Sequence, residues 1–215
     1  MMRSSTTNDH LRAALTLYVV TDERRDHDEL LDILRQALQG GVTAIQLRRK
    51  NEDGAALVDL GRRIRLLTQE FGAAYFVNDR VDIALLTDAD GVHVGQSDIA
   101  CPDVRTLLGP HRWIGVSACS VQEAVQAQQN GADYLGVGSM MFTPTKPDAD
   151  LSSIDELRKI VNTVRIPVVT IGGMTSVTAP QMMAAGACGV AVVSSVMQAA
   201  NPQLAASEMM NALKR

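Results

Sequence analysis

Eight short runs rich in valine, isoleucine and leucine alternate along the chain with segments of helical periodicity. Short apolar runs of this kind are typical of strands that are covered on both faces, as in a parallel sheet. In the intervening segments apolar residues recur at helical spacing, as in Leu30, Leu34 and Leu38, which fall on one stripe. The predicted strands are Leu15–Asp22, Ala44–Arg48, Ala74–Asp79, Gly91–Gly95, Trp113–Ala118, Tyr134–Gly138, Ile166–Gly173 and Gly189–Ser194.

This alternation predicts an α/β protein that forms a single (β/α)8 TIM barrel. A chain of 215 residues with 46% apolar residues fits one domain with a substantial core. Doubly wound sheets usually have five or six strands, so eight strand-helix units favour the closed barrel. We expect residues 15–215 to form the barrel and residues 1–14, which are polar and mixed in charge, to form a flexible N-terminal arm.

Local signals predict where several helices begin and end. Ser120 with Glu123, and Ser153 with Glu156, have the spacing of capping boxes. Gly72 stands where a helix should stop. After the third strand the sequence supports only a short helix, over Val81 to Leu86.

Composition and charge exclude several functional classes. The formal net charge of −4 provides no positive field for nucleic acid or an anionic membrane. No apolar run reaches the roughly 18 residues that a membrane helix needs, and the first residues lack the apolar region of a secretory signal. Cys101, Cys119 and Cys188 are scattered and lack metal-site spacing, which indicates a reduced, cytoplasmic protein. Formation of a homo-oligomer is left open.

Polar residues follow nearly every predicted strand, at the end of the barrel where active sites of this fold are built. The second strand ends in Gln46, Arg48 and Lys50. Because strand side chains alternate, Gln46 and Arg48 point to one side, and Lys50 can reach back from the loop. A solvated basic loop is the alternative, but the start within an apolar strand favours a site where cations converge.

Two carboxylates follow the third and fourth strands. Asp79 ends the third strand, and Asp98 lies just beyond the fourth. Mg²⁺ usually takes one or two carboxylates together with waters and substrate phosphates, so this pair suits magnesium. Either aspartate alone could be a turn or N-cap residue. Together with the cationic cluster, they indicate a site for a diphosphate.

A second anion site is predicted at the last strands. Gly172–Gly173 follows the seventh strand and Val193–Ser194 the eighth, which is the usual phosphate site of this fold. The long loop after the sixth strand adds Thr143, Thr145 and Lys146. His93 lies within a strand and is interpreted as a packed core residue.

Six short motifs follow one another in a single register over nearly the whole chain. They are Gln46–Lys50, Val77–Asp79, His93–Asp98, Gly115–Ser117, Thr143–Lys146 and Ile171–Gly173. In this order they resemble the thiamine-phosphate synthase (thiamine-phosphate pyrophosphorylase) family. The resemblance implies a Mg²⁺-dependent transferase of thiamine biosynthesis. The implied reaction joins 4-amino-2-methyl-5-(diphosphooxymethyl)pyrimidine to 4-methyl-5-(2-phosphooxyethyl)thiazole by a dissociative substitution, with loss of pyrophosphate.

The resemblance also implies a role for each matched residue. Catalysis is implied for Arg48, Lys50, Ser117 and Lys146, and magnesium binding for Asp79 and Asp98. The implied pyrimidine diphosphate site comprises Gln46, Leu47, Arg48, Arg49, Lys50, Asn78, Ser117 and Lys146. The implied thiazole phosphate site comprises Thr143, Pro144, Thr145, Gly173, Val193 and Ser194.

Two departures from the family pattern and three alternatives stand beside this prediction. The loop after the sixth strand reads Met141, Phe142, Thr143 where the family commonly has Phe-Pro-Thr. The family usually has an acidic residue where this chain has Arg49, which should make the rim of the site more basic. A thiazole tautomerase of the same barrel family would not require the diphosphate cluster. A non-catalytic phosphate-sensing regulator would need an additional binding segment, which the sequence does not show. Sugar-phosphate isomerases on this fold would not explain the paired aspartates.

Overall fold

A computed structural model describes residues 5–24, 26–140 and 153–214, and it confirms the predicted (β/α)8 barrel. Eight parallel strands close in sequential order, and β8 pairs with β1. The strands are β1 (Leu17–Val20), β2 (Ala44–Leu47), β3 (Ala74–Asn78), β4 (Gly91–Val94), β5 (Trp113–Ala118), β6 (Tyr134–Val137), β7 (Val168–Ile171) and β8 (Gly189–Val192). The described helices are α1 (Ser5–Ala14), α2 (His27–Gln39), α3 (Gly54–Phe71), α4 (Val81–Leu86), α5 (Cys101–Leu108), α6 (Val121–Gln129), α7 (Ile154–Thr163), α8 (Ala179–Ala184), α9 (Ser194–Met197) and α10 (Pro202–Leu213).

Alternation along the strands produces two separate apolar layers. In β1, Leu17 and Val19 face outward and pack under the helices, whereas Tyr18 and Val20 face the barrel interior. The interior also holds Phe76 from β3. Four aromatic rings therefore pack together inside the barrel and fill the space between strands, those of Tyr18, Phe76, Trp113 and Tyr134.

The helix boundaries agree with the local signals in the sequence. The Ser120 hydroxyl accepts from Glu123 N at 3.2 Å, and the Ser153 hydroxyl accepts from Glu156 N at 3.0 Å. Gly72 ends α3 with a left-handed φ of 66°. The short helix predicted after the third strand is α4, with the expected bounds. Among the described helices, none has the length and apolar character required to cross a bilayer.

The described part of the predicted N-terminal arm differs from the expectation. Residues Ser5–Ala14 form α1, and Leu11 is only 3% exposed because it packs with Leu15 and Tyr18 at the amino-terminal end of the barrel. A polar composition predicts an arm when the segment is considered alone. The contact between Leu11 and the barrel stabilises a helix here, and composition alone does not predict that contact.

The Asp133 carboxylate, which is 12% exposed, ties α5 to the amino-terminal end of the barrel. Asp133 accepts from the backbone N of Ile114 at 2.8 Å and from the Arg105 guanidinium at 2.6 Å. We expect Asp133→Ala to lower the free energy of unfolding by about 2 kcal/mol, because it leaves both donors without this acceptor. Urea denaturation measures the loss. Asp155→Ala removes an exposed pair with Arg158 and should change stability by less than about 0.5 kcal/mol. Equal losses in the two variants would contradict the prediction.

Candidate active site

A cavity of about 230 Å³ opens at the carboxyl ends of the strands. All eight strands or the residues just after them contribute to its wall, as expected for this fold. Most of the residues predicted from the sequence meet here. They are Gln46, Arg48, Lys50, Asn78, Asp79, Asp98, Ser117, Gly173, Val193 and Ser194.

The basic side of the cavity comes from the end of β2. Gln46 faces the barrel interior at the end of the strand, and Arg48 and Lys50 continue the same alternation past it. The Arg48 backbone N donates to the Thr21 hydroxyl at 2.9 Å, which holds this segment against the end of β1. Two cationic side chains therefore reach the cavity, and both are solvated, since Arg48 is 26% and Lys50 55% exposed.

The residues that alternate with them point away from the cavity. Leu47 is 1% exposed and packs in the outer core. The Arg49 side chain is 2% exposed, donates to the Arg24 carbonyl and lies 3.5 Å from Glu52. The expectation that Arg49 makes the rim more basic is therefore wrong, because alternation turns its guanidinium into the protein. Of this motif, the residues that line the cavity are Gln46, Arg48 and Lys50.

Two carboxylates face one another beside these cations. Asp79 follows β3 with a left-handed φ of 59°, a conformation that aspartate tolerates better than most residues. Asp98 is held by a hydrogen bond from Gly95 N to its Oδ2 at 2.7 Å. The Lys50 ammonium lies 4.0 Å from Asp79 Oδ2. This places both acidic side chains on the same wall as Arg48 and Lys50.

The closeness of the two carboxyl groups changes both of their pKa values. Burial, followed by the hydrogen bond and the charge of Asp98, raises the pKa of Asp79 to about 6. Burial opposes ionisation of Asp98 as well, but the hydrogen bonds from Asp79 and from Gly95 N outweigh it and lower the pKa of Asp98. Two carboxylates close enough to share a hydrogen bond repel one another unless a proton or a cation lies between them.

This pair fits a magnesium ion. The described residues contain no group of three or more His, Cys, Asp and Glu side chains that could hold a metal. Mg²⁺ does not need such a group, because it commonly uses one or two carboxylates and completes its octahedron with waters and substrate phosphates. A divalent cation would also relieve the repulsion between the two carboxylates, which adds to the effect of burial on the pKa of Asp79.

The opposite wall is formed by the ends of β7 and β8. Gly172 and Gly173 have positive φ angles of 100° and 66°, and a Cβ on Gly172 would lie 2.3 Å from the Ser139 hydroxyl. Gly173, Val193 and Ser194 line the cavity here, and Ser194 begins α9. Thr143, Pro144, Thr145 and Lys146 lie outside the described residues.

The cavity also contains residues that sequence analysis did not assign to it. His93 was interpreted as a packed core residue, but it is half-buried at the cavity wall. Tyr18, Tyr134 and Cys119 line the cavity as well. The alternation of β4 carries a signal for His93, since Gly91, His93 and Gly95 share one parity and Gly95 leads directly to Asp98. The tyrosines carry no local signal that separates them from other core residues.

Comparisons with known proteins identify the family to which this chain is similar. A family model described as thiamine monophosphate synthase matches residues 17–196. Thiamine-phosphate synthase from Moorella thermoacetica is 48% identical over 201 residues, covering 93% of this chain and 96% of the relative. The corresponding protein from Methanobrevibacter smithii is 42% identical over 200 residues, again covering 93% of this chain and 96% of the relative.

Solved structures lead to the same family. Thiamine phosphate pyrophosphorylase from Pyrococcus furiosus superposes with a TM-score of 0.87 at 40% identity, covering 95% of this chain and 98% of that chain. A 3-hexulose-6-phosphate synthase superposes with a TM-score of 0.70 at 21% identity, covering 92% of this chain and 99% of that chain, and shows the shared fold alone. With its family-model match and its relatives above 40% identity, the chain belongs to the thiamine-phosphate synthase family.

Proposed function

We propose that the cavity binds a pyrimidine diphosphate and a thiazole phosphate side by side and that Mg²⁺ assists departure of pyrophosphate. As a member of its family, the chain is a transferase that condenses the two substrates to thiamine phosphate and pyrophosphate. The observation that carries the proposal is the meeting of Arg48, Lys50, Asp79 and Asp98 on one wall of one cavity. A tautomerase acting on the thiazole phosphate alone gives no reason for this cluster.

The diphosphate is proposed to lie along the wall formed by β2 to β5. Arg48 can bond phosphate oxygens through its planar guanidinium, and Lys50 supplies a second positive charge from a flexible stem. Gln46 and Asn78 offer amides for the pyrimidine end of the substrate. Lys146, although outside the described residues, is proposed as a third cation on the basis of its family motif.

Asp79 and Asp98 are proposed to hold the magnesium ion. Bound there together with diphosphate oxygens, the ion would neutralise negative charge that develops on the leaving group. Lys50, 4.0 Å from Asp79 Oδ2, lies where it can act on the same oxygens. Leu47 and Arg49, which the resemblance included, are proposed to support this segment through packing and not through side-chain contact with the substrate.

The thiazole phosphate is proposed to bind at the ends of β7 and β8. Gly173, with its φ of 66°, lets a phosphate approach the backbone, and Val193 and Ser194 line the same wall. Thr143, Pro144 and Thr145 are proposed as further contacts from the loop after β6. Held in this way, the thiazole ring would present its nitrogen to the pyrimidine.

The proposed reaction breaks one bond and forms one. The bond between the pyrimidine methylene carbon and the ester oxygen of the diphosphate breaks, and its electron pair leaves with pyrophosphate. Arg48, Lys50, Lys146 and the Ser117 hydroxyl stabilise that charge, which is the main catalytic effect. The thiazole nitrogen lone pair then forms the C–N bond with the methylene carbon. This step requires no general base, because no proton is removed.

Product formation tests this function. We expect the purified chain to convert the two substrates into thiamine phosphate and pyrophosphate in equal amounts when Mg²⁺ is present. Chelation with EDTA should lower the rate by about a hundredfold or more, and added Mg²⁺ should restore it. Chromatography of the thiazole-derived product and a coupled pyrophosphate assay measure the two products independently.

The controls separate the alternatives. Arg48→Met should lose most of the activity, whereas Arg158→Met changes an exposed arginine on α7 and should keep it. Isomerisation of a thiazole carboxylate phosphate, with neither thiamine phosphate nor pyrophosphate formed from the two substrates, would replace the synthase proposal with a tautomerase. A cytoplasmic location remains a prediction from the cysteine pattern, and assembly into a homo-oligomer remains open.

A further inference from the structure

Five polar side chains form a continuous hydrogen-bonded chain across the barrel interior beneath the cavity. Gln46 Nε2 donates to the Tyr18 hydroxyl at 2.8 Å, and the Tyr18 and Tyr134 hydroxyls lie 3.1 Å apart. Tyr134 lies 3.1 Å from His93 Nδ1, and His93 Nε2 lies 3.0 Å from the Ser117 hydroxyl. The hydrogen-bonded chain joins residues of β2, β1, β6, β4 and β5 in that order, so it crosses the barrel interior between Gln46 on β2 and Ser117 on β5.

Two glycines leave room for the rings at the centre of this chain. A Cβ on Gly115 would lie 2.1 Å from Tyr134 Cζ and 2.5 Å from His93 Nδ1. A Cβ on Gly136 would lie 2.8 Å from His93 Cε1. The imidazole and the phenol therefore occupy space that any larger residue at either position would fill. Tyr134 is fully buried and Tyr18 is 2% exposed, so their hydroxyls depend on partners within the protein.

The donor and the acceptor of each hydrogen bond follow from the Gln46 end of this hydrogen-bonded chain. Tyr18 already accepts from Gln46, so donating to Tyr134 is the arrangement that uses its own hydrogen. Tyr134 then donates to His93 Nδ1, which leaves the imidazole proton on Nε2. His93 Nε2–H in turn donates to the Ser117 oxygen. Among the described residues the structure gives Ser117 Oγ no other partner, so its hydrogen is available to a ligand in the cavity.

We propose that Tyr18, Tyr134 and His93 are positioning residues that make Ser117 an obligate hydrogen-bond donor toward the departing pyrophosphate. This inference rests on the proposed function, since it assigns the acceptor of the Ser117 hydrogen. A serine hydroxyl can point either its hydrogen or its lone pairs at a ligand. Because His93 Nε2–H occupies a lone pair of Ser117, the hydroxyl hydrogen is directed toward the cavity, where negative charge develops.

The same chain links this donor to recognition of the pyrimidine at Gln46. Reversal of the Gln46 amide would present its oxygen to Tyr18 and reverse every hydrogen bond in the chain. Ser117 would then donate to His93 and offer only lone pairs to an anionic leaving group, which is repulsive. A substrate amino group that donates to Gln46 Oε1 keeps Nε2 turned toward Tyr18. Binding of an aminopyrimidine thus favours the arrangement that activates Ser117.

A double-mutant cycle tests whether Tyr134 acts through Ser117. Ser117→Ala should lower kcat by about tenfold to a hundredfold, the range for a hydrogen bond to a charged group, with little change in KM. Tyr134→Phe should lower kcat by about fivefold in the wild-type background. In the Ser117→Ala background it should lower kcat by less than about twofold. Equal factors in the two backgrounds would overturn the proposal.

Tyr75→Phe is the matched control for loss of a buried tyrosine hydroxyl. Tyr75 lies on β3, is fully buried and bonds Thr87 at 3.3 Å, outside the chain that leads to Ser117. The Tyr75→Phe substitution should leave kcat within about twofold of the wild type. Should Tyr134→Phe fail to fold, Tyr18→Phe interrupts the adjacent hydrogen bond and enters the same cycle, with the same expected coupling to Ser117.

Histidine tautomers provide a readout that does not require activity. Two-bond ¹H–¹⁵N spectra of histidine-labelled protein, with His93→Gln to assign the signal, should show the proton on Nε2 of His93. Tyr134→Phe should convert this single tautomer into a mixture. A wild-type His93 that carries its proton on Nδ1 would refute the proposed direction of the chain. An inactive wild type with the Nε2–H tautomer would instead refute the proposed function alone.

Discussion

Asp79→Asn should lower kcat/KM by about a thousandfold, the size of effect expected when a magnesium ligand worth several kcal/mol is removed. The substitution keeps the shape of the side chain and removes its charge. Asparagine also tolerates the left-handed φ of 59° at this position, so the barrel should remain folded. The loss should therefore report the charge that faces Asp98 and Lys50, not a change of structure.

Titration with Mg²⁺ in a steady-state assay measures this effect. The variant should need a higher Mg²⁺ concentration for half-maximal rate than the wild type. Asp82→Asn is the matched control, because Asp82 lies on the exposed face of α4, is 56% exposed and pairs with Arg80. It should keep activity within about twofold. Full activity of Asp79→Asn at the wild-type Mg²⁺ requirement would exclude Asp79 as a ligand.

Gly115→Ala should lower the free energy of unfolding by about 3 kcal/mol, at the upper end of the range for overpacking a core. The added methyl group would lie 2.1 Å from Tyr134 Cζ. Tyr134 cannot easily move away, because its ring packs edge-on against Phe76 with centroids 5.6 Å apart and is fully buried. Displacement of Tyr134 would also disturb His93 and, through it, Ser117.

Guanidinium denaturation followed by circular dichroism gives the stability of each variant. Gly54→Ala is the control: Gly54 begins α3, and the nearest atom to an added Cβ is Arg80 Nη2 at 3.9 Å. This substitution should leave stability unchanged or raise it by up to about 1 kcal/mol, because alanine lowers the entropy of the unfolded chain. If the two alanine variants are equally stable, the space at Gly115 is larger than the contacts indicate.

Strand position in the sequence was sufficient to find much of the candidate site. Side chains at the carboxyl ends of parallel strands meet in any closed barrel, so Arg48, Asp79, Asp98 and Ser117 could be assigned to one cavity before their distances were known. Arg49 shows the limit of this approach. Composition counts its charge at the rim, whereas the alternation that continues past β2 turns it away from the cavity and against Glu52.

The sequence by itself determined the eight strands, the capped starts of α6 and α7, and the strand-end residues of the cavity. These features depend on periodicity and on hydrogen bonds between residues a few positions apart, so they can be predicted from the sequence. Only the tertiary structure decided that Leu11 packs under the barrel and that Tyr18, Tyr134 and His93 connect Gln46 with Ser117. The hydrogen bonds that connect Gln46 with Ser117 join residues 24 to 116 positions apart, and their existence depends on closure of the barrel around them.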